Sequence, residues 1–229
     1  MDGKIVLITG AKGGLGTTVT QQFLNSGATV VGASRSIKPS DFPGPRFMAM
    51  PIDFTDPAAV GRMTGEIIAR YGKIDALVHL LGGFAGGHSV AETSDATWEQ
   101  MRDLNLTSAF YVLRVVIPHM RKAQNGRIVA VGSLAAVEPH AGLGAYVTFK
   151  TALAALVRTV ALENADAHIT ANLVLPGTMD TPGNRASQPD ADFSKWVQPG
   201  DVARLILWLV ADQAAQVNGV VASLPEHTV

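Results

Sequence analysis

Short, mostly continuous apolar runs recur along the whole chain, and stretches of helical period separate them. Strands buried on both faces of a parallel sheet look like this, because neither face is left for alternating polar residues. The runs predict strands at Lys4–Thr9, Thr29–Ala33, Arg46–Met50, Ala76–Leu80, Arg127–Val131, Ile169–Leu175 and Gly219–Ser223. Between the first two, Gly14–Ser26 sets Leu15, Val19, Gln22 and Phe23 near one helical face and ends at Gly27, a helix-terminating glycine. Thr55-Asp56-Pro57 starts a helix over Ala58–Tyr71, since Asp or Thr can cap and proline suits the first turn. Longer helices are predicted over Ala96–Ala123 and Leu143–Asn164, and a last one over Gly200–Asp212. Strand and helix alternate from end to end. Right-handed crossovers then predict an α/β fold, a doubly wound parallel sheet of about seven strands with helices on both faces.

With 229 residues, 47% hydrophobic and 16% charged, the chain can bury one sizeable core, and we expect residues 1–229 to form a single domain. A formal charge of -1 provides no field to hold a nucleic-acid backbone or an anionic membrane. The absence of cysteine excludes disulfides, a thiolate nucleophile and cysteine-based metal sites. His79, His88, His119, His140, His168 and His227 show no paired helical spacing, so no metal is expected. Met1-Asp2-Gly3-Lys4 runs straight into Ile5–Ile8 without the pattern of an export signal, and Leu205–Ala211 is shorter than the roughly 20 residues of a membrane span. A cytoplasmic location away from the membrane is expected.

The first strand ends in Thr9-Gly10-Ala11-Lys12-Gly13-Gly14-Leu15-Gly16, and a helix starts at once. Glycines there let the backbone approach a pyrophosphate, while the helix N-terminus supplies unpaired N–H groups. The spacing departs from G-x-G-x-x-G, and no Gly-Lys-Ser/Thr follows, so triphosphate chemistry falls away. In dinucleotide-binding sheets an acid ending the second strand accepts the ribose hydroxyls of NAD. Here that place reads Ser34-Arg35-Ser36, and Arg35 with Ser34, helped by Lys12, could hold the extra phosphate of NADP. NADP(H) is therefore expected, with NAD(H) as the alternative; Arg35 is otherwise a solvated charge. Asp53, followed by Phe54, could receive the adenine amino group or simply cap a turn at Thr55.

Tyr146 and Lys150 stand four apart at the start of a helix, hence on one face. A tyrosine with a pKa of roughly 10 needs adjacent positive charge to act as an acid or base near neutrality. Ser133, just past a buried strand, could donate to a substrate carbonyl oxygen, and Gly132-Ser133-Leu134-Ala135 is no nucleophile elbow. Asn105 lies within an apolar helical stretch, where asparagine is a poor helix former. The irregular segment 177–199, just beyond a strand's carboxyl end, is either a mobile substrate flap or a surface loop.

At these residues the chain resembles the short-chain dehydrogenase/reductase family over nearly its whole length. The resemblance runs through Thr9-Gly10, Gly14, Gly16, Asp53, Asn105, Ser133, Tyr146, Lys150, Pro176-Gly177 and Thr181. It implies a Rossmann-like domain in which Tyr146 donates or accepts the proton and Ser133 positions the carbonyl. Lys150 would bind the nicotinamide ribose and tune Tyr146, Asn105 would hold a relay water, and Pro176, Gly177, Met179 and Thr181 would line the nicotinamide. Gly82 is kept where the family usually has Asn-Asn-Ala-Gly, but His79-Leu80-Leu81 replaces the rest, and the usual closing Asp-Gly-Gly is missing near Val220. These features imply reduction of a small carbonyl compound, or the reverse oxidation of an alcohol, by a homo-oligomer, a dimer or tetramer. Val112–Val116 and Leu153–Val157 are apolar enough to pack both the sheet and a partner. The segments Gly82–Gly87 and Asp180–Trp196 resemble the dihydropteridine reductase branch, and there Phe84, beside Gly83, and Trp196 could sandwich a flat heterocycle. His140 could touch substrate or be an exposed loop histidine. The reading of another class is an NADP-sensing regulatory protein without turnover.

Overall fold

The computed structural model describes residues 1–226. One sheet contains seven strands, all parallel, in the order β3-β2-β1-β4-β5-β6-β7. The strands are β1 Ile5–Thr9, β2 Thr29–Ser34, β3 Phe47–Pro51, β4 Ala76–His79, β5 Gly126–Val131, β6 Ile169–Pro176 and β7 Val221–Leu224. The expected Rossmann-like architecture is present. The last strand starts later than its apolar run, because Gly219 takes a positive φ of 72° and Val220 N–H is drawn to the Asn172 side chain.

Helices α1 Gly14–Asn25 and α7 Pro199–Val210 cover one face of the sheet; α2 Pro57–Tyr71, α4 Ser108–Ala123 and α5 Gly144–Glu163 cover the other. Period-two alternation divides the strands between these layers: in β1, Ile5 and Leu7 join one core and Val6 and Ile8 the other. Helix α2 begins as its sequence predicts, with the Asp56 side chain accepting Ala58 N–H at 2.8 Å and Pro57 in the first turn, and Gly72 closes it at φ 77°.

The long helix expected over Ala96–Ala123 is instead two. Helix α3, Asp95–Arg102, and α4 are joined by a π-helical turn at Asp103–Thr107, with Asn105 at its centre. Helix α5 is long and apolar enough to cross a membrane by length and composition, a property the sequence reading overlooked. In the fold it lines the core with Phe149, Leu153, Val157 and Val160. Of the stretches Val112–Val116 and Leu153–Val157, Val112, Val116, Leu153 and Val157 are buried against the sheet, while Val115, Ala154 and Leu156 are only partly buried. The large exposed apolar side chains of α4 and α5 are Phe110 and Leu162.

Segment 177–199 carries a short helix, α6 Pro182–Ser187, and a 3-10 turn at Phe193–Lys195. Its ends are tied together, because Asp180 N–H donates to Val197 C=O and Val197 N–H to Thr178 C=O, both at 2.9 Å.

Candidate active site

The sheet order reverses between β1 and β4, and the carboxyl ends of these strands open a crevice there. Gly10, at φ 71°, leads out of β1 so close to β4's exit that a Cβ would stand 2.9 Å from Leu81 N. A Cβ on Gly16 would run into the Gly10 carbonyl, so only glycine lets α1 start this tightly against the turn. Gly13 caps α1 without a side-chain acceptor, and among the described residues the N–H groups of Gly14, Leu15 and Gly16 find none. Unpaired donors at a helix N-terminus suit a phosphate. The side chain of Leu15 anchors the turn in the core beneath.

Two cavities meet at Gly10, Gly13, Leu80 and Gly82. The smaller, about 320 Å³, is lined by Lys12, Ser34, Arg35, Ser36, Asp53 and Phe54 among others, an adenosine-sized subsite. Its chemistry departs from expectation in part. Lys12 is not a free cation, since its ammonium pairs with Asp41 at 2.9 Å and donates to Ser36 C=O. The Ser34 hydroxyl accepts Lys12 N–H at 3.2 Å. Asp53 Oδ1 is occupied by Thr55 N–H and hydroxyl, and these bonds hold its pKa below the ordinary value. Phe54 is buried, with its ring in the core. Arg35 is exposed and joins no ion pair among the described residues.

The larger cavity, about 530 Å³, brings Ser133, Tyr146 and Lys150 together with Pro176, Gly177, Met179 and Thr181. Lys150 is buried, donates to Val131 C=O at 3.2 Å and lies 5.9 Å from the Tyr146 ring centroid. Burial lowers its pKa to about 8. Burial raises that of the Tyr146 phenol, and the neighbouring Ser133 hydroxyl acts in the opposite direction.

Asn105 is fully buried, and its side chain is committed: Oδ1 accepts Gly83 N–H at 3.1 Å, while Nδ2 donates to Gly83 C=O and Met101 C=O at 3.0 Å. This clamp engages both Nδ2 protons and one Oδ1 bond, and leaves Oδ1 able to accept a second donor. Gly82 follows from the same packing, since a Cβ would lie 2.9 Å from both Asn105 Oδ1 and Lys150 Nζ. His79 is a packed strand residue, bonded through Nδ1 to the Thr9 hydroxyl at 2.9 Å, with Nε2 unpaired. Burial, reinforced by Lys150, drives its pKa to about 3.

Of the substrate residues, Gly83, Phe84 and His140 line the cavity, and Phe84 meets Tyr146 edge-on at 5.1 Å between centroids. Trp196 requires correction. Its ring is buried against Phe193 at 4.8 Å, Phe193 in turn carries Arg185 at 4.6 Å, and Trp196 is absent from the cavity wall. The Phe84–Trp196 sandwich does not form. The sequence reading missed Leu134, Leu143, Asn184, Gln188 and Glu226 on the wall, residues without a local motif to mark them. Among the described residues no three His, Asp or Glu gather to hold a metal; His227 lies outside them.

The short chain dehydrogenase family model matches residues 4–192. The chain belongs to the short-chain dehydrogenase/reductase family. It is 30% identical to the 3-oxoacyl-[acyl-carrier-protein] reductase FabG of Escherichia coli over 230 residues, 95% of this chain and 94% of that protein. It is equally 30% identical to the 2,3-dihydro-2,3-dihydroxybenzoate dehydrogenase of Bacillus subtilis over 245 residues, 95% and 93% of the two chains. Among solved structures it resembles ElxO with NADP bound, with a TM-score of 0.91, 26% identity and 98% of each chain covered. It also resembles the 3-ketoacyl-(acyl-carrier-protein) reductase of Brucella melitensis complexed with NADH, with a TM-score of 0.87, 25% identity, and 98% and 97% coverage. As a short-chain dehydrogenase/reductase the chain is an oxidoreductase that uses a nicotinamide cofactor. The glycine cradle and the unpaired N–H groups of α1 fit the pyrophosphate of such a cofactor.

Proposed function

We propose that residues 1–229 act as one NADPH-dependent carbonyl reductase domain, with segment 177–199 as the wall that closes on a small substrate. The observation that carries this reading is the meeting of the Tyr146 phenol, the Ser133 hydroxyl and the buried Lys150 in one cavity that opens onto the unpaired N–H groups of α1. The bound cofactor supplies hydride to the carbonyl carbon. Tyr146 protonates the carbonyl oxygen, and Ser133 donates a hydrogen bond to that oxygen as charge develops on it. Lys150 holds positive charge beneath the phenol and favours its ionised form after transfer. Asn105 positions this floor by clamping Gly83. Arg35, which joins no ion pair among the described residues and lines the same subsite as Lys12, supports binding of the extra phosphate of NADP.

The test is oxidation of NADPH, with NADH in parallel, by the purified protein offered ketones, 3-oxoacyl thioesters and a quinonoid dihydropterin. Turnover of ketones or thioesters with NADPH is expected. Turnover of the pterin alone would replace this reading with a dihydropteridine reductase, and binding without any turnover would replace it with a dinucleotide sensor.

A further inference from the structure

β7 ends with Leu224 in register with Pro176 of β6. Parallel pairing thereby sets the following residues, Pro225 and Glu226, over the turn that leaves β6. Glu226 Oε1 accepts Thr178 N–H at 3.0 Å, and the side chain lies on Gly177 so closely that a Cβ there would stand 3.1 Å from Glu226 Cγ. The carboxylate joins the wall of the cavity that holds Tyr146, Lys150 and Met179. Glu226 takes part in no ion pair among the described residues, so no described side chain cancels its charge. Among the described residues it is the one carboxylate on that wall; the other charged or titratable groups there are Lys150, Tyr146 and His140.

We infer that Glu226 discriminates between the two redox forms of the cofactor, favouring the oxidised, positively charged nicotinamide over the neutral reduced ring. The inference rests on the nicotinamide reading of the Pro176–Thr181 wall. An unpaired carboxylate attracts the cationic ring and does nothing comparable for the neutral one, so its effect is differential. The same difference acts during turnover. Tyr146 would give its proton to the carbonyl oxygen, and Glu226 would stabilise the positive charge that a nicotinamide held there acquires on giving up hydride. Reduction of the carbonyl is favoured at the bound equilibrium.

Glu226→Gln separates charge from architecture, since the amide oxygen still accepts Thr178 N–H. Dissociation constants for NADP⁺ and NADPH are measured by titration on the wild-type protein and on this variant, with NAD⁺ and NADH alongside. We expect the variant to lose about three- to tenfold in affinity for the oxidised form while the reduced form is unchanged, the size of one partly screened charge contact. Glu226→Ala, which also removes the bond to Thr178, should weaken both forms. Equal changes in both forms with Glu226→Gln, or none in either, would overturn the inference and leave Glu226 a latch for the chain end. If the wild-type protein binds no dinucleotide, the nicotinamide reading itself fails, and this inference with it.

Discussion

Lys150 shows how one residue serves chemistry against stability. Its ammonium is buried with a single carbonyl acceptor, and its pKa falls to about 8. The unfolded chain keeps that proton up to roughly pH 10.4. Between these values the unfolded state binds more protons, so stability rises with pH; below about 8 the folded state carries the full cost of the buried charge. Lys150→Met should therefore gain stability relative to wild type at pH 7, on the order of 1–3 kcal/mol. The gain should shrink towards pH 10, as denaturant unfolding at the two pH values would show. Turnover should vanish in the same variant. Tyr146→Phe should cost about 10²–10⁴-fold in kcat while cofactor affinity stays nearly intact, measured by NADPH oxidation and by NADPH titration. Tyr146 and Lys150 were legible from their spacing on one helical face taken together with Ser133, Asn105 and the family resemblance. Trp196 was not, because an aromatic near the site in sequence can turn into the core, as the Arg185–Phe193–Trp196 stack does here.

At the scale of an element, the π-helical turn between α3 and α4 converts a weak helix former into a clamp. Asn105 meets both backbone groups of Gly83 and so joins the helix pair to the loop after β4 that carries Gly82 and Phe84. A π turn at a functional site is a recurrent device, and here it places an asparagine opposite a glycine backbone. Asn105→Ala leaves Gly83 N–H and C=O unpaired and should cost about 1–3 kcal/mol in denaturant unfolding, with a fall in kcat/KM as the floor beneath Lys150 loosens. A variant as stable and as active as wild type would refute the clamp. The sequence marked Asn105 as out of place in a helix but could not show the break, because which carbonyl an asparagine bonds depends on what lies across from it. Segment 177–199 is similar: its irregular composition was visible, while α6 and the pairing of Thr178 and Asp180 with Val197 depend on contacts between its two ends.

For the whole molecule, the buried His79 at the centre of the sheet contributes to the response to acid. Its pKa is driven to about 3 against an ordinary value near 6.5, so the unfolded state takes up a proton first as pH falls. Stability is lost progressively from about pH 6.5 downwards. His79→Asn, which can still bond Thr9, should flatten that loss and move the acid-unfolding midpoint to lower pH, read by circular dichroism. Exposed Phe110 on α4 and Leu162 on α5 lead us to propose a homo-oligomer that covers them. Light scattering should give a dimer or tetramer, and Leu162→Lys should shift it towards monomer. What the sequence alone determined is whatever short-range chemistry dictates: the alternation of buried strand and helix, the glycine turn, and Tyr146 with Lys150 on one helical face. Only the tertiary structure decided what depends on the approach of distant segments. It tied Lys12 to Asp41, turned Trp196 away from the cavity, locked Asn105 onto Gly83 and set Glu226 over Gly177. The physical reason is that periodicity and capping act within a few residues, whereas a charge or an amide finds its partner only after the sheet has brought remote strand ends to one edge.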